Sequence, residues 1–359
     1  LRVRTGVSSL ALVAALAGWP LAALAQSTAV VADVGNALAL GTTVTTAGTV
    51  LTIDGGARAG GNLFHSFTTF SLGAGDTARW TRSAGDGASV SNVISRVTGG
   101  QVSQISGTLD STALPNASFY FVNPAGIVLG AGAQVNVPAA AYFSTAAQVR
   151  FADGGSFAVA APDGSTLSVA SPESFGFVGG QGAISITGAG ATLAQASTAL
   201  SFSGSDVSFV NDNLSAANRT VVRGLDLIGV GEGAHTVRLS DPLAASATGA
   251  VTVRNSAFVI TSGDTPAGAF RIGGGQVELG AVSLISDTGG AARGGDIRVV
   301  ADTLRISGAS QIGTSARASG DAGDLSLTAR DLSVDGGTLF SVTTTGAAGG
   351  RIALSADTL

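Results

Sequence analysis

The chain has 359 residues, of which 53 are Gly and 8 are Pro, while apolar residues make up 45% and charged residues 11%. This composition excludes collagen, and it excludes disorder caused by low hydrophobicity. The net charge is −5, and all 18 basic residues are Arg with no cluster among them, so nucleic acid is not expected as a partner. The Gly excess predicts many turns between short strands, and hence an all-β fold.

Residues 1–25 have the pattern of a secretory signal peptide. Two arginines come first, an apolar run too short to span a bilayer follows, and Ala23 and Ala25 form an A-x-A cleavage site before Gln26. An N-terminal core helix is the alternative, but it would leave the arginines and the A-x-A site without a purpose. We therefore expect export through the Sec machinery, cleavage before Gln26 and a soluble mature protein.

Short segments in which apolar and polar residues alternate recur through the rest of the chain, and helical periodicity is nearly absent. Examples are "AISITG" from residue 183, "DVSFV" from 206, "AVTVRN" from 250 and "QVELG" from 276. Such alternation, bounded by Gly, Asp, Asn and Ser, is typical of half-buried strands.

An internal repeat occupies the C-terminal part of the chain. The segments "GDIRVVADTL", "GDLSLTARDL" and "GRIALSADTL" start at Gly295, Gly323 and Gly350, so they lie 28 and then 27 residues apart. Strands and Gly turns repeated at this length predict a β-solenoid, in which each repeat forms one coil that stacks on the next. The positions expected to face the interior are Ile297, Val299, Ala301, Leu304, Leu325, Leu327, Ala329, Leu332, Ile352, Leu354, Ala356 and Leu359.

An antiparallel sandwich is the alternative to the solenoid, but few Asn-Gly or Asp-Gly pairs lie between two alternating segments, as its hairpins would require. At about 27 residues and about 4.8 Å per coil, residues 26–359 would form at most about 12 coils, a rod of about 58 Å. The N-terminal half lacks the regular repeat and is expected to provide a cap. Because the chain starts with Leu1 and stops at the end of a repeat, we expect a natural start upstream or at an unusual codon, and a solenoid that continues or needs a further cap.

Residues 60–180 are richer in aromatic side chains and contain five distinctive segments. In chain order they are "GGNLFHSFTTFSLGAGDTARW" (60–80), "SNVISRVTGGQVSQISGTL" (91–109), "FYFVNPAGIVLGAGAQVNV" (119–137), "FSTAAQVRFADGGSFAV" (143–159) and "SPESFGFVGG" (171–180). Read together, they resemble the haemagglutination-activity, or two-partner-secretion, domain of filamentous haemagglutinin-like exoproteins. The resemblance covers at least Val34 to Gly180.

This resemblance implies a right-handed parallel β-helix with an N-terminal cap, and it implies secretion by a Gram-negative bacterium. The family's N-terminal domain is recognised in the periplasm by an outer-membrane, TpsB-type β-barrel with POTRA domains, and the exoprotein emerges to fold outside. We therefore expect a signal peptide at 1–25, a two-partner-secretion domain at 26–180 and continuing β-helix repeats at 181–359. That domain would target the chain and nucleate its folding, and the protein would be secreted or displayed on the cell surface.

The absence of Cys agrees with this route. A chain that is threaded unfolded through a barrel cannot carry disulfides formed in an oxidising periplasm. A solenoid contacts only neighbouring coils, so it can propagate from a folded nucleus, and folding at the exit could draw the chain outward.

The family's asparagine-proline turn corresponds to Asn123, Pro124, Gly126 and Ile127. Asn, Pro and Gly at the first, second and fourth positions are typical of a type I β-turn. Ala125 stands where many members have a second Asn, and a second motif of the Asn-Pro-Asn-Leu type is missing. Two interpretations of Asn123 stay open, since it could be a determinant read by the transporter or a turn residue that closes a corner by an Asx hydrogen bond.

A second group of candidates for transporter recognition lies in the first aromatic segment and consists of Asn62, Phe64, His65 and Phe67. The other histidine, His235, is 170 residues away from His65, and there is no Cys, so a metal site is not expected. No cofactor is expected either.

Two further function classes remain beside secretion targeting. The exposed rod is interpreted as an adhesin of haemagglutinin type that binds host-cell or matrix glycans, which is compatible with secretion. The alternative is a secreted polysaccharide-binding or polysaccharide-cleaving β-helix. Cleavage would need carboxylates and Arg clustered on one outer face of neighbouring coils, and the 23 acidic residues form no evident cluster, so an enzyme is not expected.

Overall fold

The computed structural model describes residues 27–359 apart from residues 36–37, 83–88, 160–164, 189–192, 195–197, 213, 215–218, 245 and 345. The predicted signal peptide, with Ala23, Ala25 and Gln26, therefore lies outside the described residues. Across the described ranges, no helix is long and apolar enough to cross a membrane.

The described elements are strands joined by turns, with one short 3-10 helix at Pro242–Ala244. In chain order the strands are β1 Ala29–Ala32, β2 Thr42–Ala47, β3 Val50–Gly55, β4 Ala57–Ala59, β5 Asn62–Ser71, β6 Thr77–Trp80, β7 Asn92–Val97, β8 Ser103–Ile105, β9 Thr108–Asp110, β10 Ser118–Val122, β11 Ile127–Leu129, β12 Gln134–Asn136, β13 Ala140–Ser144, β14 Gln148–Phe151, β15 Ser156–Ala158, β16 Pro172–Val178, β17 Ile184–Thr187, β18 Ala199–Gly204, β19 Val207–Val210, β20 Arg219–Val222, β21 Gly224–Gly229, β22 Ala234–Arg238, β23 Ala250–Arg254, β24 Ala257–Ser262, β25 Phe270–Gly280, β26 Ser283–Thr288, β27 Ile297–Ser307, β28 Gln311–Ala316, β29 Leu325–Asp335, β30 Thr338–Thr343 and β31 Ile352–Ser355.

The chain winds into a parallel β-solenoid of about 10 coils, which confirms the predicted fold. On the first face, strands pair in parallel in the order β5, β7, β10, β13, β18, β21, β25, β27, β29 and β31. The second face contains β8, β11, β17, β19, β23 and the second halves of β25, β27 and β29. The third face is formed first by β3, β6, β9 and β12 and later by β20, β24, β26, β28 and β30. These parallel ladders exclude the antiparallel sandwich.

The predicted repeat coincides with the coils. Ile297 pairs with Leu325, and Leu325 pairs with Ile352, so the three segments stack in register. Side chains at the predicted inward positions of the first two segments lie inside, and Ile297 and Leu325 are fully buried. In the last segment Ile352 and Leu354 are 41% and 48% exposed, because no later coil of this chain covers them.

The glycines that start the repeats form a column at one corner. A Cβ built on Gly295 would overlap the carbonyl oxygen of Gly268, and one on Gly323 would overlap that of Gly295. Gly350 has the same relation to Gly323. These three coils therefore require glycine at this corner, because their backbones lie too close to the preceding coil to leave room for a Cβ atom.

Two strands cap the first coil. β1 and β4 both pair with β5 in antiparallel orientation, whereas the edge of β5 that faces the solenoid pairs in parallel with β7. Behind the cap, the interior of the first coils is filled with aromatic rings at centroid separations of 4.7–5.7 Å. These rings belong to Phe67, Phe70, Trp80, Phe119 and Phe121.

The chain leaves the solenoid twice, after β13 and after β21, and builds a separate sheet against its outside. This outer sheet has the order β15, β14, β16 and β22 and is antiparallel throughout. Its inner side covers the outward side chains of β5, β7 and β10, which creates a second apolar core around Phe64, Ile94 and Tyr120. The residues used in these excursions explain why there are fewer coils than the upper bound of about 12.

Candidate functional site

The predicted turn is the corner between the first and second faces. β10 ends at Val122 and β11 begins at Ile127, and the N–H of Gly126 donates to the carbonyl of Asn123 at 3.1 Å. Gly126 has φ of +128°, a conformation that other residues rarely adopt. The break in the apolar sequence therefore directs the chain from one face of the solenoid to the next.

The Asn123 side chain is fully buried and all its polar atoms are bonded. Its Oδ1 accepts from the N–H of Ala125 at 3.0 Å, which is the Asx hydrogen bond expected of a turn residue. Its Nδ2 donates to the carbonyl of Gln101 at 2.8 Å and to Ser103 Oγ at 2.9 Å, and its N–H donates to the carbonyl of Ser144 at 3.0 Å. Asn123 thus joins its own coil to the preceding coil and to the following one.

The solvent side of the corner consists of other residues. Pro124 and Ala125 are half-buried, and Val102 beside them is 41% exposed. The carbonyl of Pro124 accepts from the N–H of Gly182 at 2.7 Å, so the segment that leads into β17 is hydrogen-bonded to the turn. Ile127 is fully buried in the solenoid interior. A partner that touched the corner would therefore meet Pro124, Ala125 and Val102.

The second group of candidates lies on β5, two coils earlier. Asn62, the first residue of β5, is in register with Asn92 and Ser118, at the end of the strands opposite to the corner. Its Nδ2 donates to the carbonyls of Ser168 at 2.8 Å and Ala170 at 2.7 Å, and its Oδ1 accepts from Asn92 Nδ2 at 2.8 Å. Asn62 therefore connects the segment that contains Ser168 and Ala170, just before β16, to the first coils by hydrogen bonds.

The three aromatic candidates are also fully buried. Phe64 points outward into the second core, 5.0 Å from Phe157 between ring centroids, whereas Phe67 packs inside the solenoid, 5.2 Å from Phe70. His65 Nδ1 lies 3.3 Å from Thr42 Oγ1 on β2, the strand that pairs in antiparallel orientation with β3. The structure therefore separates these four residues from the corner and places them in the packing of the cap and the outer sheet.

His65 is neutral in the folded protein. Burial lowers its pKa from 6.5 to about 4, and the negative charge of Asp54 opposes this shift only in part. Its Nε2 has no hydrogen-bond partner among the described residues, and those residues contain no group of His, Asp or Glu that could hold a metal ion. His235 lies apart from it, on β22.

We expect His65 to make the stability of the fold depend on pH. Between about pH 6.5 and pH 4 the unfolded chain binds a proton that the folded protein does not, so stability falls as the pH falls. Lowering the pH from 7.5 to 5 should cost the natural protein about 2 kcal/mol more unfolding free energy than a His65→Gln variant. Urea unfolding at both pH values measures this difference, and equal losses would contradict it. Burial also raises the pKa of Asp226 to about 6, but this carboxyl is present in both proteins, so its contribution to the pH dependence cancels in the difference between them.

A buried arginine that the sequence did not indicate joins the cap, the first coils and the outer sheet. Arg96 on β7 donates from Nε to Ser66 Oγ at 2.8 Å, from Nη1 to the carbonyl of Ala158 at 2.5 Å and from Nη2 to the carbonyl of Leu38 at 3.3 Å. Its guanidinium carbon lies 4.4 Å from the centroid of the Phe157 ring. One side chain therefore contacts three parts of the domain.

Asp33 of the cap completes this network. It accepts from Ser66 Oγ at 2.6 Å, from Thr68 Oγ1 at 2.7 Å and from Thr98 Oγ1 at 3.0 Å. Burial lowers the pKa of Arg96 to about 10, and the negative charge of Asp33 opposes the shift. The Ser66 hydroxyl thus links the two buried charged groups, because it accepts a hydrogen bond from Arg96 and donates one to Asp33. These hydrogen bonds offset part of the free-energy cost of burying both charges.

The strand sequence "NVISRV" contains a weak signal for this network. Val93 and Val97 point inward, and Ile94, which points to the opposite side, is apolar as well. All six residues of this strand are buried. Ile94 on the outward side indicates that a further layer covers the strand, and an Arg two residues later then has to be buried and bonded.

Comparison with known families identifies the class of protein. The family model described as "TPS secretion domain" matches residues 29–249, from the first cap strand to the residue before β23. The crystal structure of the HMW1 secretion domain from Haemophilus influenzae aligns with 92% of this chain and 100% of that chain, at 14% identity and a TM-score of 0.37. A search of curated proteins finds no match.

The chain belongs to the TPS secretion domain family, because the match covers more than half of its length. It therefore carries the N-terminal domain of a two-partner-secretion exoprotein, a secreted protein of Gram-negative bacteria whose partner is an outer-membrane transporter.

Proposed function

We propose that residues 26–180 target the exported chain to a TpsB-type barrel and nucleate the β-helix that residues 181–359 continue. The Sec machinery would export the chain by the signal at 1–25, with cleavage before Gln26, and the POTRA domains would bind it in the periplasm. The family match is the observation that carries this proposal. The cap and the two-sided packing of β5, β7 and β10 support a nucleating role, because these coils bury both faces of their strands.

Within this domain, the corner of Asn123 is the proposed contact for the transporter. Pro124, Ala125 and Val102 would form the contact, since Val102 is exposed and the other two are only half-buried. Asn123 would act through their position, because its own side chain is buried.

The four candidates on β5 are proposed to act in the same indirect way. Asn62, Phe64, His65 and Phe67 are buried, so they would maintain the recognised shape by packing and by hydrogen bonds.

We expect Ala125→Lys to reduce export at least about tenfold while leaving the fold intact, because it adds a charge to the proposed contact without changing a buried group. The assay is co-expression with a candidate TpsB-type barrel, followed by measurement of the chain in the medium. Circular dichroism and urea unfolding of the refolded protein report on the fold.

The matched control is Ala131→Lys, which places the same charge at an exposed corner of the same coil, between the second and third faces. Equal export of the two variants would contradict the proposed contact. Asn123→Asp tests the indirect role of Asn123, because a carboxylate would then face the carbonyl of Gln101, and folding and export should decline together. Loss of export with the fold intact would instead indicate that the transporter reads Asn123 itself. Failure of the natural chain to reach the medium even with the barrel would contradict the function itself.

The passenger is proposed to be an adhesin whose outer faces meet host-cell or matrix glycans. The outward side chains of the second face are polar on successive coils, in agreement with a surface that stays in water. In register these side chains are Ser185, Ser208, Thr252, Glu278 and Arg305.

A further inference from the structure

One side of the outer sheet faces away from the solenoid, and two arginines lie close together on it. Arg150 on β14, Ser174 on β16 and Arg238 on β22 are paired in register on three adjacent strands. Their neighbours along each strand belong to the second apolar core, so these three side chains point to the solvent. The Cα atoms of the two arginines are two strand spacings apart, or about 9.6 Å. Their long side chains can therefore meet above Ser174.

Arg150 is held in a fixed position on this side of the sheet. Its Nη1 donates to Thr236 Oγ1 at 3.3 Å. With the Gln148 amide oxygen facing the guanidinium, Nη2 and Nε of Arg150 donate to that oxygen at 2.9 Å and 3.1 Å. These bonds use three of the five N–H groups of the guanidinium and leave two for a ligand.

Gly176 makes room for this arrangement. A Cβ on Gly176 would lie 2.8 Å from Cγ of Gln148 and 3.0 Å from Nε of Arg150. The backbone of Gly176 has no positive φ, so glycine is needed here for the close approach of the two side chains and not for the turn of the chain. The sheet therefore orients an exposed arginine before any ligand arrives.

Ser174 and Arg238 have polar groups that are not yet used. Ser174 is only 5% exposed, and its hydroxyl has no hydrogen-bond partner among the described residues. The guanidinium of Arg238 is exposed, and within the described part of the chain it has neither a hydrogen bond nor an ion pair. Glu173, the acidic residue next to Ser174, forms no ion pair with either arginine. An unbonded hydroxyl between two like charges indicates that an anion completes the group.

The chemistry of the three side chains favours a phosphate group. Guanidinium groups bind phosphate and carboxylate oxygens by charge-assisted hydrogen bonds. A carboxylate has two oxygens, whereas a phosphate group offers three strong acceptor oxygens and up to two negative charges. A phosphate group can therefore bond to both arginines and to the hydroxyl at the same time, and its charge balances theirs.

We propose that Arg150, Ser174 and Arg238 bind the phosphate group of a phosphomonoester. Arg150 supplies donors that are already oriented, Arg238 donates from the opposite strand, and the Ser174 hydroxyl donates to a third oxygen. The site lies on the open side of a sheet, so a soluble phosphomonoester and a lipid headgroup can both reach it. Binding here does not depend on recognition by the transporter.

The test uses the purified chain and inorganic phosphate, with binding followed by phosphorus NMR at low ionic strength, where charges are least screened. The natural protein should show saturable binding, and Arg238→Gln should weaken it at least about fivefold. The matched control is Arg298→Gln, which removes an exposed arginine from the first face and changes the net charge equally. It should bind phosphate as the natural protein does. No saturable binding by the natural protein, or equal binding by Arg238→Gln, would overturn the proposal.

Gly176→Ala separates an organised site from a simple excess of positive charge. The variant keeps both arginines, but its Cβ displaces the side chains of Gln148 and Arg150. Phosphate binding should weaken at least about threefold through the loss of preorganisation, while circular dichroism shows the sheet formed. Unchanged binding would show that the position of Arg150 is irrelevant, which contradicts a site made of two arginines.

Vesicles distinguish the two sources of the phosphate group. The probes are phosphatidylcholine vesicles that contain phosphatidic acid, with phosphatidylcholine alone as the control. Sedimentation of the natural protein with the first kind only, and less of it with Arg238→Gln, identifies a lipid headgroup. Binding of inorganic phosphate without sedimentation identifies a soluble phosphomonoester. Equal sedimentation of the natural protein and Arg238→Gln with phosphatidic acid would contradict the site.

Discussion

Arg96→Met should lower the free energy of unfolding of the N-terminal coils by about 4 kcal/mol, the cost typical of removing one partner from a buried charged network. The substitution removes the hydrogen bonds that Arg96 donates to the carbonyls of Ala158 and Leu38, and it removes the positive charge that faces the buried Asp33. Hydrogen exchange should then rise in both the cap and the outer sheet, since Arg96 contacts both. Urea unfolding gives the energy, and exchange followed by mass spectrometry gives the location.

The control for this prediction is Arg298→Met, which removes an exposed arginine from the outward face of β27. It should change stability by less than about 0.5 kcal/mol. If exchange in Arg96→Met rose evenly over the later repeats as well, the network would not have the local role that its contacts indicate.

Gly182→Ala should be the second large effect, with a loss of about 3 kcal/mol, as expected when a well-packed site is overfilled. A Cβ on Gly182 would overlap the carbonyl oxygen of Ala125 and lie 2.6 Å from its carbonyl carbon and 2.8 Å from the N of Gly126. These atoms belong to the backbone of the Asn123 turn, so no side chain can move aside to make room. Thermal and urea unfolding measure the loss, and export should fall with it.

Gly263→Ala is the matched control, because a Cβ there would meet nothing within 4 Å and the backbone needs no positive φ. It should leave stability unchanged or slightly higher. Equal stability of the two variants would show that the corner tolerates a side chain, and that Gly182 does not hold the turn in place.

The sequence predicted those features that depend on near neighbours or on strict repetition. The register of Ile297, Leu325 and Ile352 followed from the repeat, since each coil is one period of the chain. The Asx turn of Asn123 followed from four adjacent residues.

The outer sheet and the Arg96 network could not be predicted in the same way. The strand "QVRF" alternates like any strand of the solenoid, and the alternation does not tell whether it joins a coil or the outer sheet. The acceptors of Arg96 on Ala158 and Leu38 lie about 60 residues away along the chain, and the excursion that brings the first of them close has no repeat to reveal it. Burial of a strand on both faces depends on such distant partners.

The pairing of β16 with β22 has a consequence for how the solenoid comes apart. Val178 is paired with Ala234, so the intervening coils are enclosed in a loop that is tied at its base. A coil inside this loop cannot unfold alone, because the antiparallel pairing of β16 with β22 would have to break at the same time. The later repeats lack such a tie among the described residues, and they can fray from the end one coil at a time. We therefore expect the coils between Val178 and Ala234 to unfold cooperatively, and the later repeats to unfold one coil at a time from the C-terminal end.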